Sequence, residues 1–251
     1  MASEFVRLIK RAIRIFEEQG PWRLAISGTS FVMRPVSDIL ISVGIWLKLL
    51  SHKSYNELNR TDSNFRWSII EPHLKSGEGS CLDIGCADGF FSAKAAVLGL
   101  YTIGIDNSAF RIDNARKIHR NVAKCMFMCE SITPQNIGKL PKTDVVLLMT
   151  VFHHWCDAFG NESAKEMMRT LATNSRKMVF EPPGTEAGNF YKIGNERPPI
   201  PHQSSIQYYE DLLEEIYDGS VTIKLLGQTQ YNPSVNRTDP IFLIDCDNYA
   251  K

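Results

Sequence analysis

Apolar and polar positions along the chain change their rhythm near residue 62. Before that point the spacing is helical. Phe5, Leu8, Ile9, Ala12, Ile13 and Phe16 recur at three- and four-residue intervals, with Arg7, Lys10, Arg11 and Arg14 beside or opposite them, which predicts an amphipathic helix over Phe5 to Glu18. Gly20-Pro21 ends it. A second apolar segment, Val36 to Leu50, follows Arg34-Pro35; it contains Asp38 and Lys48 and is short for a membrane span.

From residue 62 onward, helical stretches alternate with short apolar strands, the pattern of a parallel, doubly wound sheet. The expected order is a helix over Asn64 to Leu74, a strand over Ser80 to Ile84, a helix over Phe90 to Leu98 and a strand over Tyr101 to Ile105. A helix over Ser108 to Val122 and a strand over Cys125 to Cys129 come next. The uninterrupted apolar run Asp144 to Met149 suits a central strand covered on both faces. A helix over Glu162 to Asn174 and a strand beginning at Lys177 to Phe180 lead to Glu181-Pro-Pro-Gly184 and a long Pro- and Gly-containing stretch, read as a substrate loop. Ser204 or Ser205 caps a helix ending at Tyr217, and Val221 to Tyr231 with Pro240 to Asp245 form an edge pair. The chain therefore divides into a helical extension, residues 1–61, and an α/β domain, residues 62–251.

Composition narrows the function classes. With 43% hydrophobic residues in 251, the chain can bury a sizeable core, and its formal net charge of zero offers no electrostatic footing for a phosphate backbone. Residues 1–60 nevertheless carry nine basic against five acidic groups. Their two apolar segments could lie on an anionic membrane surface, pack on the main domain, or meet a second copy. The six cysteines form no C-x-x-C pair, which fits a reduced, cytoplasmic protein. His153, His154 and Cys156 stand too close together to supply a tetrahedral metal set, so no metal is expected.

The chemistry concentrates in Cys81-Leu-Asp83-Ile-Gly85-Cys86-Ala87-Asp-Gly89, which follows one strand and precedes a helix. Small residues at 85, 87 and 89 let the backbone turn sharply and approach a ligand. Asp106, about 20 residues further at the end of the second strand, is placed to accept ribose hydroxyls. A nicotinamide loop uses the same physics, but there the helix amides face a pyrophosphate. Here Asp83 and Asp88 crowd the loop, which suits a cationic sulfonium bearing an ammonium group.

Asp-Ile-Gly-Cys-Ala-Asp-Gly followed by Ile-Gly-Ile-Asp resembles motifs I and II of the class I S-adenosylmethionine-dependent methyltransferases, with Ala87 where a glycine is most frequent. The resemblance implies a Rossmann-like, mostly parallel seven-stranded sheet with an antiparallel C-terminal strand. It further implies that Asp83 orients the amino-acid end of S-adenosylmethionine, that Gly85, Cys86, Ala87 and Gly89 pack on it, and that Asp106 binds the ribose. Glu130 matches the acidic position beside the adenine, and Asn107 and Thr150 count among the cofactor contacts.

Thr150-Val-Phe-His153-His154-Trp155 resembles the histidine turn that follows the fourth strand in many members, so His154, or else His153, is the candidate general base toward an acceptor hydroxyl; a carboxylate acceptor needs no base, and the alternative for either ring is packing on the cofactor or capping the following helix. Glu181, Tyr191 and His202, on the loop after the fifth strand, are candidates for acceptor contact, with a solvated loop residue as the alternative for each. Phe65-Arg-Trp67-Ser-Ile-Ile-Glu-Pro72-His-Leu is similar to the lead-in of the tRNA wobble-uridine carboxymethyltransferases. Leu8 to Leu24, ending Glu-Gln-Gly-Pro-Trp-Arg-Leu, is similar to leaders of glycan-assembly enzymes, including hexuronic-acid methyltransferases. The expected acceptor is accordingly a sugar or a lipid-linked glycan at the cytoplasmic membrane face, contacted peripherally through residues 1–50. A tRNA or small-molecule acceptor is the alternative, and a non-catalytic cofactor-binding module is the alternative outside enzymes.

Overall fold

The computed structural model describes residues 62–74, 79–184, 203–232, 235–247 and 249. The segments Phe5 to Glu18 and Val36 to Leu50, and the loop residues Tyr191 and His202, lie outside them. By contact density, Met1–Asn59 and Arg60–Lys251 are separate compact units.

The described elements run α1 (Ser63–Ile70), β1 (Ser80–Ile84), α2 (Phe90–Val97), β2 (Tyr101–Asp106), α3 (Ala109–Ile118), β3 (Cys125–Cys129), β4 (Thr143–Met149), α4 (Phe152–Phe159), α5 (Asn161–Thr173), β5 (Ser175–Glu181), α6 (Ser205–Tyr217), β6 (Thr222–Asn232) and β7 (Val235–Asp245). They form one seven-stranded sheet in the order β3-β2-β1-β4-β5-β7-β6. β1 pairs in parallel with both β2 and β4, Leu82 facing Ile103 on one side and Val146 on the other. β7 is antiparallel to its neighbours, with Phe180 opposite Phe242. This is the Rossmann-like arrangement expected of the sequence.

The unbroken apolar run of β4 follows from burial on both faces. Val145, Leu147 and Met149 join Trp67, Ile70, Phe91 and Ala95 of α1 and α2. Val146 and Leu148 face the other way, against Phe152, Trp155, Met167, Leu171 and Tyr209 of α4, α5 and α6. By the same alternation, Asp83 and Glu181 fall on the α1–α2 face, and both are buried.

Element ends differ from expectation for local reasons. The first helix stops at Ile70 and tightens into a 3-10 turn, Glu71–His73, because Pro72 has no amide hydrogen to donate. Ser108 caps α3 by accepting from the Arg111 amide at 3.4 Å, and Ser204 caps α6 by accepting from Gln207 at 3.2 Å. The residues after Thr150, read as a turn, instead form the helix α4. Past β5, Pro182 to Gly184 remain buried, where the Tyr209 hydroxyl donates to the Pro183 carbonyl at 2.7 Å. No helix among the described residues is long and apolar enough to cross a membrane.

Candidate active site

The carboxyl ends of β1, β2, β4 and β5 meet where the chain winds away from β1 in both directions, the place where open α/β sheets take their ligands. The loop leaving β1 has a left-handed backbone at three alternate positions, Gly85 at φ +73°, Ala87 at +48° and Gly89 at +78°. It hangs from β2, the amides of Gly85 and Cys86 both donating to the Ile105 carbonyl at 2.7 and 3.0 Å.

Packing within the protein itself demands the two glycines. A Cβ at Gly85 would stand 2.4 Å from Val151 Cγ2, and one at Gly89 would stand 2.4 Å from Phe127 Cε1. Ala87 keeps its methyl group at the left-handed cost of about 1–2 kcal/mol.

Asp106 organises this loop. Its Oδ2 accepts from the Ala87 amide at 3.0 Å and its Oδ1 from the Ser108 amide at 2.9 Å, so the carboxylate is oriented by backbone from both sides. Glu130 lies exposed just past β3; its amide donates to the Asp106 carbonyl at 3.0 Å, and its Oε1 accepts from Asn136 at 3.1 Å. Asn107 is exposed beside them.

Asp83 is buried beneath the loop and accepts a 2.5 Å hydrogen bond from the Ser92 hydroxyl of α2. Burial pushes its carboxyl up to about 6, with the Ser92 hydrogen bonds opposing the shift. A buried acid bonded to a neutral hydroxyl is a fitting counter-charge for a cationic ligand. Gly104 makes room for this pair, since a Cβ there would meet Ser92 Oγ at 2.6 Å. Sequence reasoning missed Ser92 and Gly104, although Gly104 sits within the quoted Ile-Gly-Ile-Asp.

Asp88 requires a correction. Its carboxylate pairs with Arg111 at 3.3 Å, so its charge is met inside the protein and lends little to a bound cation.

On the other side of the crevice, β4 ends at Thr150, whose φ of +61° is an outlier for a β-branched residue and costs about 1–3 kcal/mol. Its amide donates to the Glu181 carbonyl at 2.6 Å, and its hydroxyl donates to Glu181 Oε2 at 3.1 Å. α4 then begins at Phe152. His153 is buried, while His154 is exposed at the helix start, with the two rings 3.9 Å apart. Desolvation in that stack lowers the His154 pKa from 6.5, against the opposing charges of Asp157 and Asp106. His154 is therefore neutral near pH 7, within electrostatic reach of Asp106 and open to an acceptor.

Glu181 departs most from expectation. It has no exposed surface, and its carboxylate is held by the Arg66 guanidinium, with Arg66 Nε donating to Oε1 at 2.8 Å. It is not an acceptor contact.

Comparison with known proteins agrees with this geometry. Residues 81–174 match the family profile of a methyltransferase domain. The matched stretch holds the loop after β1, Asp106, Glu130 and both histidines of α4.

The fold is similar to that of WbdD, described as a bifunctional kinase-methyltransferase, at TM-score 0.56 and 22% identity over 73% of this chain and 38% of that one. A second WbdD structure, with a kinase inhibitor, gives TM-score 0.58 at 20% identity over 73% of this chain and 41% of that one. The chain thus spans about two fifths of WbdD. EvdMO1 is similar at TM-score 0.53 and 12% identity, over 82% of this chain and 47% of that one. No curated protein sequence gives a significant match.

Proposed function

We propose that the protein transfers a methyl group from S-adenosylmethionine to an oxygen of a sugar or lipid-linked glycan intermediate, with His154 as general base. The observation that carries this is the exposed imidazole in the first turn of α4, just past the carboxyl end of β4, the strand beside the one whose loop Asp106 organises. S-adenosylmethionine supplies an already activated methyl on a sulfonium. The protein's share is to align the acceptor, exclude water and take the hydroxyl proton, which His154 Nδ1 or Nε2 can accept.

Asp83 is assigned to the amino-acid end of the cofactor and Asp106 to its ribose. Gly85, Cys86, Ala87, Gly89, Asn107, Glu130 and Thr150 form the surrounding wall, and His153 supports His154 from within. The glycan acceptor is supported by the leader phrase Leu8 to Leu24. The lead-in shared with tRNA-modifying enzymes has packing work to do here: Trp67 lies in the core and Pro72 lies within the 3-10 turn.

Tritiated-methyl transfer to glycan, tRNA and small-molecule fractions is expected to label the glycan fraction. Label in the tRNA fraction instead would sink this acceptor. His154→Ala is expected to lower kcat about a hundredfold or more while leaving cofactor affinity intact. Unchanged turnover removes the base.

The raised Asp83 carboxyl gives a pH dependence with a definite sign. The ionised form favours a cationic ligand, so cofactor affinity is level above pH 7 and falls toward about tenfold per pH unit below the carboxyl's value of about 6. Calorimetry from pH 5 to 8 reads this directly, with Asp83→Asn showing no such slope. A level wild-type profile refutes the assignment.

A further inference from the structure

Glu181 stands at the carboxyl end of β5, beside the crevice, yet is sealed from it. Its bonds converge on Thr150. The Glu181 carbonyl takes the Thr150 amide and its carboxylate takes the Thr150 hydroxyl, so one residue grips the other by backbone and side chain together.

The grip is braced from behind. Arg66 of α1 donates to both carboxylate oxygens, and the Thr229 hydroxyl of β6 lies 3.4 Å from Oε1. Arg66 also lies 4.7 Å above the ring of Phe91, in the first turn of the helix that leaves the cofactor loop. The chain of contacts therefore runs from that helix through Arg66 and Glu181 to Thr150 and on to α4. Val151, the next residue, fills the space above Gly85 and closes the circuit.

Stability alone gives no reason to place a charge here, because well-packed apolar residues hold an interior as firmly as a buried ion pair. The strained residue does give a reason. A threonine at φ +61° relaxes toward ordinary backbone unless its surroundings over-determine it, and any relaxation swings the start of α4.

We infer that Glu181 is a positioning residue of the methyl-transfer site: braced by Arg66, it clamps Thr150 in the left-handed conformation that sets His154 at the crevice. This rests on the reading of His154 as the base.

Glu181→Gln keeps the shape and removes the charge. It is expected to lower kcat for tritiated-methyl transfer to the glycan fraction about tenfold or more, with the Kd for S-adenosylmethionine within about threefold of wild type. Because both changes act through one imidazole, adding it to His154→Ala should cost nothing further. Independent of turnover, the His154 ring titration followed by NMR should move from its lowered value back toward 6.5.

If Glu181→Gln does not fold, Thr150→Val is read instead; it deletes the hydroxyl grip and leaves the ion pair in place, and the same loss of kcat and the same shift of the His154 titration are expected. Kinetic losses that simply multiply, or an unmoved titration, overturn the clamp. His154→Ala with unchanged turnover overturns the function reading, whereas a slow His154→Ala beside a fully active Glu181→Gln overturns the clamp alone.

Discussion

Asp106→Ala is expected to weaken S-adenosylmethionine binding about a hundredfold or more. A carboxylate accepting from two ribose hydroxyls contributes about 1.5–3 kcal/mol per charged hydrogen bond, and each 1.4 kcal/mol is a factor of ten. The same carboxylate already holds the Ala87 and Ser108 amides, so its loss also releases the loop in which Gly85, Ala87 and Gly89 are left-handed. Asp106→Asn separates the two effects. An amide oxygen can still accept from one loop amide, so Asn should keep more of the thermal stability than Ala while remaining weak in cofactor binding. Calorimetry with S-adenosylmethionine is the measurement, and affinity within about threefold of wild type for the alanine variant would overturn the assignment of Asp106.

That residue was legible because its information is local. A strand ending in an acid, one crossover after a strand ending in a small-residue loop, can be read from spacing alone, and the structure places Asp106 beside that loop, bonded to the Ala87 amide. β4 was legible for a similar reason, since burial on both faces leaves an unbroken apolar run.

α4 carried a local signal too: Phe152, Trp155, Cys156 and Phe159 recur at helical spacing, and three of them are buried. The two histidines between them drew the reading toward a turn. A second demand on Gly85 was not legible, because the atom that forbids a Cβ there, Val151 Cγ2, belongs to another strand's loop. Arg66 and Glu181 were beyond any local pattern. They stand 115 residues apart, on elements with unrelated periodicities, and nothing in the spacing of either names its partner.

That pair carries the largest expected effect on stability. Arg66→Ala leaves the Glu181 carboxylate in an interior without its guanidinium, which costs about 3–5 kcal/mol. In a domain of this size each kcal/mol moves Tm by about 2–4 °C, so a drop of roughly 6–20 °C is expected in a thermal melt. The loss of the Arg66 cation over Phe91 adds about 0.5–1 kcal/mol. Replacing both partners by apolar residues of similar volume, Arg66→Met with Glu181→Leu, should recover most of the stability, because no charge then stays buried. It should not recover turnover, because leucine offers Thr150 no acceptor for its hydroxyl. A double variant with both stability and kcat restored would mean that the ion pair serves packing alone. Restored melting with slow methyl transfer would show that the charge is kept for the geometry of the turn it holds.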